Sequence, residues 1–194
     1  MKKILSAAIV MACMLPSFSH ATETGEPVKT YSFSKKKAPA EWSTGKTFLI
    51  ADDRRLGLFN DRNKKYPSAT TLTVSNIPQG SSVEISFDMI FVGSWDSEGK
   101  LADRFTVSIA GGPVLLDMTK FPCAVIDDDD NQPTGHDGFV RVGERDRAYW
   151  ISPVSVEVPA SLIINGEATV EFKGFLTGRK TEFWAIDNVT IKFR

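Results

Sequence analysis

Apolar and polar residues alternate along much of this 194-residue chain. The clearest run covers residues 83–91, in which every odd-numbered residue is apolar. Shorter runs of the same kind occur at residues 72–74, 105–109 and 154–158. A period of two is typical of a half-buried β-strand, and no stretch beyond Ala21 has the apolar spacing of an amphipathic helix. The pattern therefore predicts an all-β protein.

Turn-forming residues separate these runs. Asparagine, glycine and proline cluster at Asn76–Gly80, Ala110–Pro113 and Asn165–Glu167, as expected for tight connections between strands. Short strands that each bury one face pack most readily as two antiparallel sheets. We therefore predict a two-sheet antiparallel sandwich with a jelly-roll-like strand order.

The first residues have the features of a secretory signal peptide. Lys2 and Lys3 precede an uncharged apolar run, Ile4–Pro16, and a small residue, Ala21, precedes a polar stretch. The apolar run is shorter than the roughly 20 residues that a membrane span needs. We therefore predict cleavage after residue 21 and an exported protein, periplasmic or secreted, that does not span a membrane.

An alternative for the same segment involves Cys13. The residues Val10–Cys13 resemble a lipobox, and a lipid on Cys13 would anchor the exported protein. The only other cysteine is Cys123, so cleavage after Ala21 would leave it without a partner for an internal disulfide.

Length and charge limit the organisation and the partners. Residues 22–46 are predicted to form an N-terminal lead-in with the first strand, and residues 47–194 the sandwich. One domain is enough, because a chain of this size buries roughly 70% of its unfolded surface in a single core. The formal net charge is −1, and loss of the signal peptide removes two lysines, so no basic field for nucleic acid is expected.

Few residues are suited to catalysis. Beyond the predicted signal peptide the chain has one histidine, His136, whereas zinc, serine and cysteine hydrolases depend on this residue. We therefore predict that the protein is not an enzyme. The alternative that stays open is a polysaccharide hydrolase with a carboxylate pair, although solvation accounts for Glu84, Glu157 and Glu171 on the polar faces of predicted strands.

The last predicted strand contains a carboxylate on its apolar side. Alternation from Ala185 to Val189 places Asp187 among apolar neighbours, where an unpaired charge would cost several kcal/mol. Asp187 should therefore meet a cation, an arginine or several backbone N–H groups. Calcium is one such partner, because oxygen ligands favour it.

A second acidic group lies between two predicted strands, at residues 93–103. Asp96 and Asp103 lie in this segment with Glu98. Their oxygens are candidate ligands of Ca²⁺, and the alternative is that they cap a turn.

Two tryptophans are candidate ligand-binding residues. Trp95 lies in the acidic segment, and Trp184 lies on the predicted polar side of the last strand. Amphipathic rings of this kind stack on sugars, although large aromatics are more often buried.

Several motifs resemble an uncharacterised group of bacterial extracellular β-sandwich domains. They include Leu56–Asn60, the Gly-Ser-Trp-Asp motif at Gly93–Asp96 and the closing Trp-x-Ile-Asp-Asn-Val motif at Trp184–Val189. The closing strand is also similar to jelly-roll carbohydrate-binding modules and adhesion-type domains. This resemblance implies binding of carbohydrate or a surface protein, with a calcium ion held in part by Asp187.

The sequence as a whole favours an exported, non-catalytic module that binds carbohydrate or an extracellular protein. Its candidate cofactor is a structural Ca²⁺ at Asp187, Asp96 and Asp103. The alternatives are the hydrolase described above and a structural or adhesive surface protein.

Overall fold

A computed structural model describes residues 28–122 and 135–194 of the chain. The predicted signal peptide, the lipobox at Cys13 and Cys123 lie outside these residues. The described part contains two short 3₁₀ turns and eleven strands: β1 (Lys29–Tyr31), β2 (Thr47–Ile50), β3 (Asp53–Phe59), β4 (Ala69–Val74), β5 (Val83–Gly93), β6 (Arg104–Ile109), β7 (Val114–Met118), β8 (Gly138–Val142), β9 (Arg145–Val158), β10 (Ala168–Phe175) and β11 (Glu182–Phe193). No helix within those residues is long and apolar enough to cross a membrane.

The strands form two antiparallel sheets. The larger sheet has the order β2-β3-β11-β5-β9-β8, with β1 paired to the second half of β11, and the smaller has the order β4-β10-β6-β7. Successive strands from β3 to β6 alternate between the sheets, and the chain later returns through β10 and β11 beside the strands it began with. This order is that of a jelly roll, so the predicted fold class is confirmed.

The main core lies between the two sheets. The alternating residues of β5 and β10 predicted to be buried are buried, as are Phe105 and Val107 of β6, whereas Ile109 at the end of β6 is half-buried. Each large apolar side chain buried there contributes about 1.5–3 kcal/mol. A second apolar cluster covers part of the outer face of the larger sheet and contains Ile50, Leu58, Ile90, Val92, Phe183 and Ala185.

The last strand changes face part of the way along its length. Trp184 and Ile186 point into the main core, and so do Val189 and Ile191, although two residues lie between the pairs and strict alternation would place the pairs on opposite faces. The register between β11 and β5 shifts after Asp187, and Asn188 adopts a positive φ of 48°. The predicted placement of Asp187 on the same side as Val189 is therefore wrong, because a β-bulge interrupts the alternation.

Candidate functional site

Three carboxylates meet at one end of the sandwich. Asp96 follows β5, Asp103 precedes β6 and Glu182 begins β11; each offers one oxygen, and these oxygens lie within 4.8 Å of one another. We call these residues the acid cluster. Two of them, Asp96 and Asp103, are predicted metal ligands, and the fold brings them together with a third acid from far along the chain.

Gly93 explains why β5 and β11 can meet so closely at this point. It pairs with Glu182 across the two strands. Its φ is 88°, and a Cβ at this position would overlap the carbonyl oxygen of Thr181. Glycine is therefore the residue that fits the start of the acidic loop.

Backbone N–H groups hold the two buried acids in place. Asp103 accepts hydrogen bonds from the backbone N–H of Asp96 at 2.8 Å and of Thr177 at 2.9 Å. Glu182 accepts one from the backbone N–H of Gly178 and one from the hydroxyl of Thr181. The acid cluster thus fastens the β5–β6 loop to the turn that precedes β11.

Burial makes ionisation of Asp103 and Glu182 costly. It raises the pKa of Glu182 to about 7, with a further contribution from the charge of Asp103. Burial likewise raises the pKa of Asp103, and the hydrogen bonds that it accepts from backbone N–H groups oppose this rise. Clustered carboxylates of this kind either retain protons or hold a cation. Their all-oxygen donor set suits Ca²⁺, which completes its shell with carbonyl groups and water.

Asp187 lies outside the acid cluster. It is buried and forms an ion pair with Arg55 of the neighbouring strand β3. Burial raises the pKa of Asp187 to about 6, while the positive charge of Arg55 opposes this rise. The sequence predicts a cation, an arginine or N–H groups here, and the structure supplies the arginine. It does not bring Asp187 together with Asp96 and Asp103.

Both candidate tryptophans belong to the core, so the prediction that they stack on a ligand is wrong. Trp95 and Trp184 are each 0% exposed. Trp95 donates its indole N–H to the carbonyl of Phe183 at 3.0 Å, and Trp184 stacks on Phe59 with ring centroids 4.1 Å apart. Before the bulge the even-numbered residues of β11 face the core, and after it the odd-numbered residues do. Trp184 precedes the bulge and therefore points inward.

A separate cleft of about 480 Å³ opens beside β2. Four exposed lysines and two half-buried aromatic rings line it: Lys36, Lys37, Lys46, Lys65, Phe48 and Tyr66. We call it the lysine cleft. No carboxylate stands among its described lining residues, so its walls carry positive charge only.

Local contacts fix the walls of the lysine cleft. Lys37 and Lys46 face each other in an isolated antiparallel bridge. The hydroxyl of Thr47 donates to the carbonyl of Lys35 at 3.0 Å. Tyr66 packs edge-on against Phe183, with ring centroids 5.0 Å apart. Phe48 and Tyr66 both pack against the second apolar cluster, so the two rings belong to the folded surface of the sandwich.

Sequence reasoning misses the lysine cleft and Glu182. The run of lysines at 35–37 is visible in the sequence, but its proximity to Lys46 and Lys65 depends on folding. Glu182 is a single acid at the start of a strand, and only the pairing of β11 with β5 brings it to the acidic loop.

This chain has distant likenesses among known structures. No family model and no curated protein matches the sequence. The fold is similar to the CBM22-1 xylan-binding domain of Xyn10C from Paenibacillus barcinonensis, with 12% identity, a TM-score of 0.39 and coverage of 87% of this chain and 95% of that one.

Two further structures are similar to the same degree. The K3 adhesin domain of Lys-gingipain from Porphyromonas gingivalis has 16% identity, a TM-score of 0.44 and coverage of 86% and 98%. The CBM27-1 module of Caldicellulosiruptor saccharolyticus, solved with mannohexaose, has 13% identity, a TM-score of 0.36 and coverage of 85% and 96%. At these values the likenesses assign no function to this chain.

Proposed function

We propose that this protein is a non-catalytic module that binds a carbohydrate in the lysine cleft. One observation carries the proposal: Phe48 and Tyr66 line an open cleft whose rim is rich in hydrogen-bond donors. Sugar rings present apolar C–H faces and a polar hydroxyl edge, so they match aromatic surfaces surrounded by polar groups. The cleft volume lies within the range of about 300–1,000 Å³ that is common for small-ligand sites.

The positions of the carboxylates favour a binding function over hydrolysis. A glycoside hydrolase needs two carboxyl groups on either side of the bond that it cleaves. The lysine cleft has no carboxylate among its described lining residues. The acid cluster does bring carboxylates together, but Asp103 and Glu182 are buried, and their oxygens accept hydrogen bonds from the backbone. A polysaccharide would not reach them without opening the fold.

We assign a structural role to the acid cluster. In this proposal Asp96, Asp103 and Glu182 hold a Ca²⁺ ion that ties the β5–β6 loop to the start of β11. The ion would neutralise carboxylates whose burial disfavours their charge. Extracellular calcium is abundant enough for weak sites, so this role also accords with the predicted export of the protein.

Affinity electrophoresis in gels that contain soluble polysaccharides tests the binding function. The protein should be retarded by at least one polysaccharide, and Phe48→Ala should abolish the retardation. Phe139→Ala is the matched control, because Phe139 is a half-exposed phenylalanine on β8, away from the cleft. Melting curves check that both variants fold. Migration unaffected by a broad set of neutral and acidic polysaccharides would contradict the proposal.

A further inference from the structure

The charge of the lysine cleft is not balanced by the protein itself. Lys36, Lys37, Lys46 and Lys65 are exposed, and none forms an ion pair with another described residue. Some cations elsewhere do have carboxylate partners; Lys120, for example, pairs with Glu98. In a chain whose formal net charge is −1, four lysines without an ion pair to a described residue therefore meet at one cleft.

The fold brings two of these cations side by side. Lys37 and Lys46 are direct partners across an antiparallel bridge, and the backbone N–H of Ala38 donates to the carbonyl of Gly45 at 3.2 Å beside them. Like charges directly opposite each other on paired strands are destabilising. An anion bound between the two ammonium groups would remove that repulsion.

From this juxtaposition of unpaired lysines and aromatic rings, we propose that the ligand of the lysine cleft is an acidic saccharide, a sugar that carries carboxylate or sulfate groups. The inference rests on the proposed function and specifies its ligand class. The lysine ammonium groups are compact point charges that can bind either anion, because they impose no fixed geometry. Phe48 and Tyr66 supply the apolar surface that a sugar ring needs and a simple inorganic anion does not.

Two other anionic partners fit the cleft less well. A phosphate ion or an acidic peptide would neutralise the lysines but would bring no sugar ring to the apolar surface of Phe48 and Tyr66. A nucleic acid would meet an extended basic surface in a typical complex, whereas this chain has a formal net charge of −1. Both partners are outcomes of the experiment below.

Isothermal titration calorimetry with matched probes tests the inference. The acidic probes are a galacturonate hexasaccharide and a heparin hexasaccharide, and the neutral probe is the galacturonate hexasaccharide after reduction of its carboxyl groups. We expect at least one acidic probe to bind about tenfold more tightly than the neutral probe. The acidic probe with the greater affinity identifies carboxylate or sulfate as the preferred anion, and either result supports the proposal.

A pair of double variants separates the cleft from general surface charge. Lys36→Gln with Lys65→Gln removes two lining cations, while Lys35→Gln with Lys64→Gln removes their sequence neighbours, which do not line the cleft. The first should weaken binding of the acidic probe about tenfold. The second should change it less than twofold. Equal weakening by both would overturn the inference, because net charge alone would then account for binding.

The remaining outcomes distinguish the inference from the proposed function. Equal affinity for the neutral and acidic probes would overturn the acidic-saccharide inference and leave carbohydrate binding intact. Failure of all saccharides to bind would overturn both. Equal or tighter binding of a thymidine hexanucleotide or of a poly-glutamate peptide, relative to the acidic saccharides, would also overturn the inference, because the aromatic rings would then confer no preference for sugar.

Discussion

The guanidinium of Arg55 pairs with the buried carboxylate of Asp187, a residue that lies 132 positions further along the chain. The pair joins β3 to β11 on the outer face of the larger sheet. Because Asp187 is buried, removal of its partner would leave an uncompensated charge in a medium of low polarity. The energetic effect of this pair should therefore depend on whether Asp187 is ionised.

Arg55→Met tests this dependence. At pH 8 we expect a loss of about 3 kcal/mol in the free energy of unfolding. At pH 5 the loss should be markedly smaller, because burial raises the pKa of Asp187 to about 6 and the carboxyl group is then mostly protonated. Urea unfolding of the natural protein and of Arg55→Met at both pH values measures this loss. The control is Arg54→Met, since no carboxylate pairs with Arg54 among the described residues; a loss independent of pH would contradict the account.

The acid cluster should make the metal-free protein less stable as pH rises. Burial raises the pKa of Glu182 to about 7, whereas an unfolded glutamate titrates near pH 4.3. The folded state therefore binds the extra proton between these values. Its stabilising effect is complete below the unfolded pKa and is lost as pH rises through about 7, with a magnitude of about 3 kcal/mol.

Unfolding in EDTA between pH 4 and 8 measures this effect. In Glu182→Gln the loss of unfolding free energy between pH 4 and 8 should be smaller than in the natural protein by about 3 kcal/mol. Glu171→Gln, at a half-buried position on the outer face of the smaller sheet, should leave the decline unchanged. An identical pH profile in Glu182→Gln would show that Glu182 titrates normally.

Calcium should stabilise the protein through the acid cluster. At pH 8 and a free concentration 100-fold above its Kd, Ca²⁺ should raise Tm by about 5–10 °C. Asp96→Asn should abolish most of the increase, and it leaves in place the backbone groups through which Asp96 bonds to Asp103. Asp117→Asn, which alters an exposed partner of Arg104, should show the full increase in Tm with Ca²⁺. A Tm unaffected by Ca²⁺ and EDTA would remove the ion from the account.

Ligand binding should leave tryptophan fluorescence unchanged. All four tryptophans, at positions 42, 95, 150 and 184, are buried, so none offers a ring face to a sugar. Saturation with the galacturonate hexasaccharide should not shift or quench the emission, and acrylamide should quench it only after denaturation. A ligand-dependent shift of the emission would restore tryptophan stacking as the mode of binding.

The sequence predicts the sandwich well, because a strand that buries one face has alternating apolar and polar residues. Residues 83–91 of β5 show this directly. The same reasoning finds that Asp187 needs a partner but does not identify Arg55, since the pairing of β3 with β11 is set by the whole topology. It fails at Trp184, because the bulge at Asn188 changes which face is buried and leaves no clear sequence pattern.

The candidate sites are less accessible to sequence reasoning than the fold. Asp96 and Asp103 are recognisable as a local group of acids, but Glu182 joins them from a distant strand. The lysine cleft combines residues of the lead-in, of β2 and of the turn before β4. Exposed lysines have no periodic burial pattern in the sequence, so their convergence around Phe48 and Tyr66 is visible only in the folded protein.

Mapping of the bound ligand tests the central claim most directly. In ¹H–¹⁵N spectra recorded during titration with the galacturonate hexasaccharide, we expect shift changes at Lys37, Lys46, Phe48 and Tyr66. Residues on the outer face of the smaller sheet, such as Lys173 and Phe175, should not respond. Changes confined to that outer face, or no changes at saturating ligand, would contradict binding in the lysine cleft.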